Sequence, residues 1–305
     1  MRLDRIVTLG VARPLVSLLG GSSTRALPVL MYHSISDDPQ PDVAPYYKTT
    51  TSRAVFEEQI RRLTEQGYQS VDLAEALRRI NTRIPTPGKA VVITFDDGFR
   101  DFYDLAFPIL KKHGQTAVMY LPTVFIGGDR RSFKGRECMT WSEVRELHGQ
   151  GIHFGSHTVS HPKLYELSWT EIEEELARSK ERIERELGAE VSSFAYPFAF
   201  PQQDQRFTDK FSRSLRQLGY RNCATTIVGR VQPGDDPFCV KRLPMNVCDD
   251  QALFKAKLAG AYDWVAAPQN AVKRAKRWLG RGKPATSRST GDTAPSNVLT
   301  HDTTL

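Results

Sequence analysis

Short apolar runs alternate with amphipathic helical patterns from residue 28 to residue 258. That alternation restricts the chain to parallel βα units. Pro28 to His33, Tyr68 to Val71, Ala90 to Phe95, Thr116 to Leu121, Ile152 to Gly155, Ser193 to Tyr196, Arg221 to Thr225 and Val240 to Leu243 read as strands. Between them, Arg53 to Gln66 places Val55, Phe56, Ile60 and Leu63 at helical spacing and stops at Gly67. Helices are predicted over Leu73 to Ile80, Asp101 to His113, Thr140 to Gln150, Ser168 to Leu187, Asp209 to Leu218 and Asp250 to Leu258. Thr140 with Glu143 forms a capping-box pattern. Asn81 to Lys89, with two prolines and a glycine, reads as a loop. So many units suit a distorted (β/α) barrel of a single domain better than a small open sheet.

The predicted organisation is an N-terminal arm or surface helix over 1–27, the barrel over 28–265, a basic helix over 266–280 and a disordered tail over 281–305. No apolar run reaches the roughly twenty residues of a membrane span. Met1 to Gly20 has the basic start and apolar middle of a signal peptide, but Arg13 and Pro14 interrupt it and no clear cleavage site follows. The expected location is cytoplasmic or peripheral to the cytoplasmic membrane, with secretion left open. Cys138, Cys223, Cys239 and Cys248 form no CxxC pair and read as free thiols.

The net charge of +7 is concentrated at the C-terminus, where nine basic residues face three acids from Gln251 onward. No aromatic platform or recognition motif accompanies them, so nucleic acid is not an expected partner. Peripheral contact with anionic lipid, using Lys273 to Arg281 with Trp278 and Leu279 as anchors, fits better. A solvated basic helix end fits as well.

Polar groups cluster at the C-terminal ends of the predicted strands, the face that carries active sites in βα barrels. They are His33, the Asp96-Asp97 pair, Ser156-His157 through His161, and Tyr196-Pro197-Phe198. The run Val91-Val92-Ile93-Thr94-Phe95 leads directly into Asp96-Asp97-Gly98. Buried carboxylates need compensation, and a metal ion supplies it. His157 and His161 are four apart, so a helical turn would put both rings on one side. With Asp97 they make an open site of two imidazoles and one carboxylate. Neighbouring strand residues point to opposite sides, so one acid can ligate while the other accepts a proton. His33, alone at its strand end, fits either a structural or a catalytic role.

Thr94-Phe95-Asp96-Asp97-Gly98, Ser156-His157-Thr158-Val159-Ser160-His161 and Phe194-Ala195-Tyr196-Pro197-Phe198 together resemble the polysaccharide deacetylases of the NodB-homology group, carbohydrate esterase family four. Met31-Tyr32-His33-Ser34-Ile35 is similar to the branch acting on poly-N-acetylglucosamine exopolysaccharides. The resemblance runs from about Pro28 to Leu258. It implies a hydrolase of N-acetylated polysaccharide or oligosaccharide, with zinc or another divalent metal such as cobalt or nickel. In that reading Asp97, His157 and His161 hold the metal and Asp96 is the base. Backbone N–H groups near Tyr196, Pro197 and Phe198 meet the oxyanion, and acetate is released by attack of a metal-bound water.

Two positions depart from the family pattern. The third motif usually begins with an arginine that braces the base, and here that position is Ala195; Arg242 is the candidate replacement. The late histidine that supplies the acid is missing, since only His301 follows His161, and His33 fits that role through the exopolysaccharide branch. Two other readings remain: a catalytically weak carbohydrate-binding or membrane-docked scaffold, and a glycoside hydrolase. The latter needs acids about 5–10 Å apart across the sugar bond and leaves the two histidines without work.

Overall fold

Seven of the apolar runs pair with a neighbour on both sides and lie largely buried, the arrangement that buried parallel strands require. A computed structural model describes residues 2–18, 26–38, 40, 42–82 and 89–272. The strands are β1 (Val29–Tyr32), β2 (Tyr68–Ser70), β3 (Lys89–Phe95), β4 (Val118–Leu121), β5 (His153–Ser156), β6 (Ser193–Ala195), β7 (Asn222–Val228) and β8 (Val240–Pro244). They order as β1-β8-β7-β6-β5-β4-β3, and pairing of β1 with β3 closes the ring. The result is a barrel of seven parallel strands, with β2 added beside the start of β3. Leu30 lies opposite Ile93 and Tyr32 opposite Phe95, so His33 and Asp96 leave neighbouring strands at one level.

Side chains alternate between two apolar clusters along every strand. Val29, Val92, Val118, Tyr120, Ala195, Ala224 and Val240 belong to the inner one. Leu30, Ile93, Phe95, Met119, Phe194 and Cys223 face outward toward the helices. The inner face is narrow. A Cβ on Gly155 would lie 2.6 Å from the Tyr120 ring and 2.8 Å from the Ser193 carbonyl, so only glycine admits that tyrosine.

The helices are α1 (Arg53–Glu65), α2 (Leu73–Thr82), α3 (Phe107–Lys112), α4 (Trp141–Gly149), α5 (Trp169–Leu187), α6 (Gln205–Gln217) and α7 (Gln251–Leu258). Both halves of the Thr140–Glu143 capping box form, and Ser168 with Glu171 makes a second one on α5. Two helices differ from the sequence expectation. The segment expected to be helical from Asp101 opens with a wide π-turn over Phe102–Ala106 before α3. Helix α6 starts four residues before the expected Asp209, because the Asp204 side chain accepts the Phe207 N–H and nucleates it early.

The loop expected over Asn81 to Lys89 lies partly outside the described residues, as does the Lys273 to Arg281 part of the expected basic helix; residues 266–272 are helical. The tail over 281–305 lies wholly outside them. Residues 3–18 form a helix with a π-turn at Thr8–Ala12. No described helix is long and apolar enough to cross a membrane. The four cysteines are free.

Candidate active site

Strand β3 ends at Phe95, and the two acids that follow take different backbones. Asp96 continues the inward alternation of Val92 and Thr94. Asp97 has φ 74° and Gly98 φ 68°, so the chain reverses through two consecutive left-handed residues. Simple alternation would send Asp97 outward; the left-handed backbone turns it back, and both carboxylates face one site. A Cβ at Gly98 would approach the Ile126 side chain to 2.9 Å.

Asp97 meets both histidines. His157 Nε2 lies 3.7 Å and His161 Nε2 3.3 Å from Asp97 Oδ1, and all three residues are buried. One ligand atom from each lies within 4.8 Å of the others. No helical turn brings the histidines together, contrary to the expectation from their spacing: the segment after β5 is an irregular loop. Thr158 and His161 both have left-handed backbone there, at φ 72° and 56°. The Ser156 hydroxyl accepts the Thr158 N–H at 3.2 Å, and the Thr158 hydroxyl accepts the His161 N–H at 2.9 Å. Glu175, on α5, accepts from the Val159 N–H (2.7 Å), the Ser160 N–H (3.0 Å) and the Ser160 hydroxyl (2.7 Å). Thr123 and Val124 donate their N–H groups to the Thr158 and Val159 carbonyls.

Six described non-glycine residues have left-handed backbone, and five of them, Asp97, Lys134, Thr158, His161 and Phe198, converge here. Such residues cost about 1–3 kcal/mol each and persist only where their surroundings over-determine them. For Thr158 and His161, the hydrogen bonds of residues 158–161 are that over-determination.

Arg242, on β8, reaches Asp96 through a two-pronged ion pair, Nη1 to Oδ1 at 2.7 Å and Nη2 to Oδ2 at 2.8 Å. Its Nε donates to the Thr225 carbonyl at 2.9 Å, and the guanidinium is fully buried. The brace expected at Ala195 therefore enters from another strand. Ala195 instead offers its carbonyl to His157 Nδ1 at 2.8 Å, which fixes that ring with Nε2 toward Asp97. His33 Nε2 lies 3.9 Å from Asp96 Oδ2.

Of the three expected oxyanion residues, Tyr196 spends its N–H on the Ala224 carbonyl and Pro197 has none, which leaves Phe198. The Phe198 ring lies 4.7 Å from His161, with Phe133 5.1 Å away on another side. Sequence reasoning missed Lys134, at the tip of a hairpin over 132–137, whose Nζ lies 3.1 Å from Asp97 Oδ2. The Lys134-Gly135 turn was its one signal.

The protonation states suit a cation. Burial pushes the Asp97 carboxyl up, but Lys134 and the histidines outweigh it and hold the group well below the usual carboxylate range. Burial also pushes Asp96 up, and Arg242 more than reverses it. Burial lowers His157 against the pull of Asp96 and Asp97, and it lowers His161 further with help from His157. Ionised carboxylate and neutral imidazole are the forms that bind metal. Asp97 Oδ1 is buried without a hydrogen-bond partner and aims at both Nε2 atoms, so the donor set fits a divalent ion.

Residues 83–223 match the polysaccharide deacetylase family model. Over those residues the chain is a polysaccharide deacetylase domain. The chain is accordingly a carbon–nitrogen hydrolase that acts on acetamide bonds. It is similar to YxkH of Bacillus subtilis, 29% identical over 72% of this chain and 71% of that protein. It is similar to the poly-β-1,6-N-acetyl-D-glucosamine N-deacetylase of Escherichia coli, 32% identical over 42% of this chain but only 20% of that protein. Among solved structures, IcaB from Ammonifex degensii is 26% identical with a TM-score of 0.61, covering 78% of this chain and 97% of that one. The Streptococcus pyogenes deacetylase PplD, at 24% identity and a TM-score of 0.66 over 76% of this deacetylase and 97% of its own chain, shares the fold.

Proposed function

We propose that this deacetylase removes acetyl groups from N-acetylglucosamine-containing polysaccharide or oligosaccharide with a divalent metal at Asp97, His157 and His161. The observation that carries the reading is the different surroundings of the two acids: Asp97 faces two buried imidazoles, while Asp96 is locked to Arg242. Zinc, or cobalt or nickel, would be held by Asp97 and the two histidines, and such an ion supplies Lewis acidity toward a water and the acetamide carbonyl.

Arg242 keeps Asp96 ionised and aimed, which makes Asp96 a weak base suited to an acidified water rather than a bulk one. Asp96 takes the proton of the attacking water at Oδ2, the oxygen nearer His33. His33 Nε2, 3.9 Å from that oxygen, passes the proton on to the departing amine as the C–N bond breaks. The Phe198 N–H meets the developing oxyanion. Phe133 and Phe198 exclude water around His161, which strengthens each of these interactions.

Acetate release from poly-N-acetylglucosamine and from chitooligosaccharides, measured with and without a chelator, tests the proposal. Activity should vanish on complete metal removal and return with zinc, cobalt or nickel, at about one ion per chain. Undiminished release from metal-free protein would sink it.

We also read the chain as peripheral to a membrane. Leu3, Ile6, Val11, Leu15 and Leu18 supply five of the nine exposed large apolar residues among those described, and all lie on the N-terminal helix. Solitary exposed apolar residues are ordinary, whereas a row on one helix points to a surface contact.

A further inference from the structure

A polar cavity lies behind the loop that carries His161. It measures about 350 Å³ and is lined by Arg131, Arg178, Arg182 and Arg185, with Glu181 as the one acid and Val159 beside them. Arg178, Arg182 and Arg185 stand at i, i+4 and i+7 on α5, so one helix face presents three guanidinium groups. Like charges at that spacing destabilise a helix unless an anion is shared among them. Their neighbours neutralise them only in part. Arg182 pairs with Glu186 at 2.7 Å, but Glu186 also serves Arg145 at 2.6 Å. No described carboxylate forms an ion pair with Arg178 or Arg185. Arg182 Nε is buried with no hydrogen-bond partner, and its guanidinium is held over the Trp141 ring at 5.2 Å. Arg131 joins them from outside α5, anchored by a hydrogen bond to the Val124 carbonyl.

We propose that this cavity binds a phosphate group. Guanidinium forks match phosphate oxygens in pairs and hold them by charge-assisted hydrogen bonds. The volume admits a phosphate with a sugar attached. The cavity wall is tied to the catalytic loop, because the Val124 N–H donates to the Val159 carbonyl at 2.9 Å. A phosphate here therefore sits against the backbone that presents His161, either as a substituent of the glycan being deacetylated or as free phosphate. Only the glycan source rests on the function proposed above. Phosphate binding itself is independent of it.

The test is calorimetric titration at fixed ionic strength with inorganic phosphate, N-acetylglucosamine 6-phosphate and plain N-acetylglucosamine, using chloride as the control anion. Wild-type protein should bind phosphate above chloride. The exposed pair Arg178→Gln and Arg185→Gln should weaken it at least about tenfold per arginine, with acetate release from neutral oligomers unchanged. Arg178→Lys with Arg185→Lys, which keeps charge and loses the fork, should fall between. Tighter binding of the sugar phosphate than of inorganic phosphate assigns the glycan source, and the reverse assigns free phosphate. Phosphate binding no stronger than chloride, or equal binding by the glutamine variant, overturns the site.

Discussion

Arg242 sits where no solvent reaches, and its charge is matched almost entirely by Asp96. Removing one partner of such a pair leaves the other as an uncompensated buried charge, at a cost of about 3–5 kcal/mol. Arg242→Met should lower stability by that order in urea unfolding. It should also move the acidic limb of the pH–rate profile upward, because Asp96 loses what holds its pKa down. An unmoved limb would show that Arg242 does not set the state of the base. A second acid behaves oppositely. Burial pushes Asp101 up to about 6, against hydrogen bonds from Ser34 and the Ile35 N–H. The folded state thus favours its protonated form, so this group's contribution is most favourable below about pH 4 and is lost as pH rises through about 6. With about 1.4 kcal/mol per unit, ionisation costs up to ~3 kcal/mol. Asp101→Asn should therefore raise stability at pH 8 and change it little at pH 4, as read by urea midpoints at the two pH values.

Among the elements, α5 does most for the site without touching its centre. Its Glu175 carboxylate takes three hydrogen bonds from residues 159 and 160, between the two histidines. Groups that orient ligands in this way are commonly worth 10–100-fold in metal affinity. Glu175→Ala should weaken zinc binding by that factor, measured by competition with a chromogenic chelator, while circular dichroism stays native. Glu175→Gln keeps one acceptor oxygen and should recover part of the loss. Equal affinity in all three proteins would reduce Glu175 to a surface residue. The His-x-x-x-His spacing was readable in the sequence. The loop conformation was not, because it depends on Glu175, fourteen residues beyond His161, and on the N–H groups of Thr123 and Val124 from another strand end.

On the scale of the molecule, the first residues are fastened to the last turns of the barrel. Arg2 pairs with Asp249 at 3.0 Å, Asp249 with Lys257 at 2.8 Å, and the Trp264 Nε1–H donates to the Thr8 hydroxyl at 3.0 Å. In an unbroken α-helix, Val11, Leu15 and Leu18 would lie roughly 100° around from Leu3 and Ile6. The π-turn at Thr8–Ala12 adds one residue to the turn and rotates them back by about that angle, which gathers the five into one row. Leu15→Glu with Leu18→Glu should abolish co-sedimentation with anionic phosphatidylglycerol vesicles and leave acetate release intact. Sedimentation equal to wild type would remove the membrane reading.

By itself the sequence determined the parallel α/β class and the strand ends at which two histidines and two acids gather. Strand alternation, helical period and motif spacing are local properties, and they survive in one dimension. Tertiary structure decided the rest. Seven strands close the ring instead of leaving an edge, which brings Arg242 on β8 to Asp96 after β3. Left-handed backbone at Asp97 reverses the side that alternation assigns it. Lys134 and Glu175 reach the site from a hairpin and a helix whose positions only packing sets. Each of these depends on contacts between residues distant in sequence, and a buried charge takes whichever partner the closed barrel brings to it.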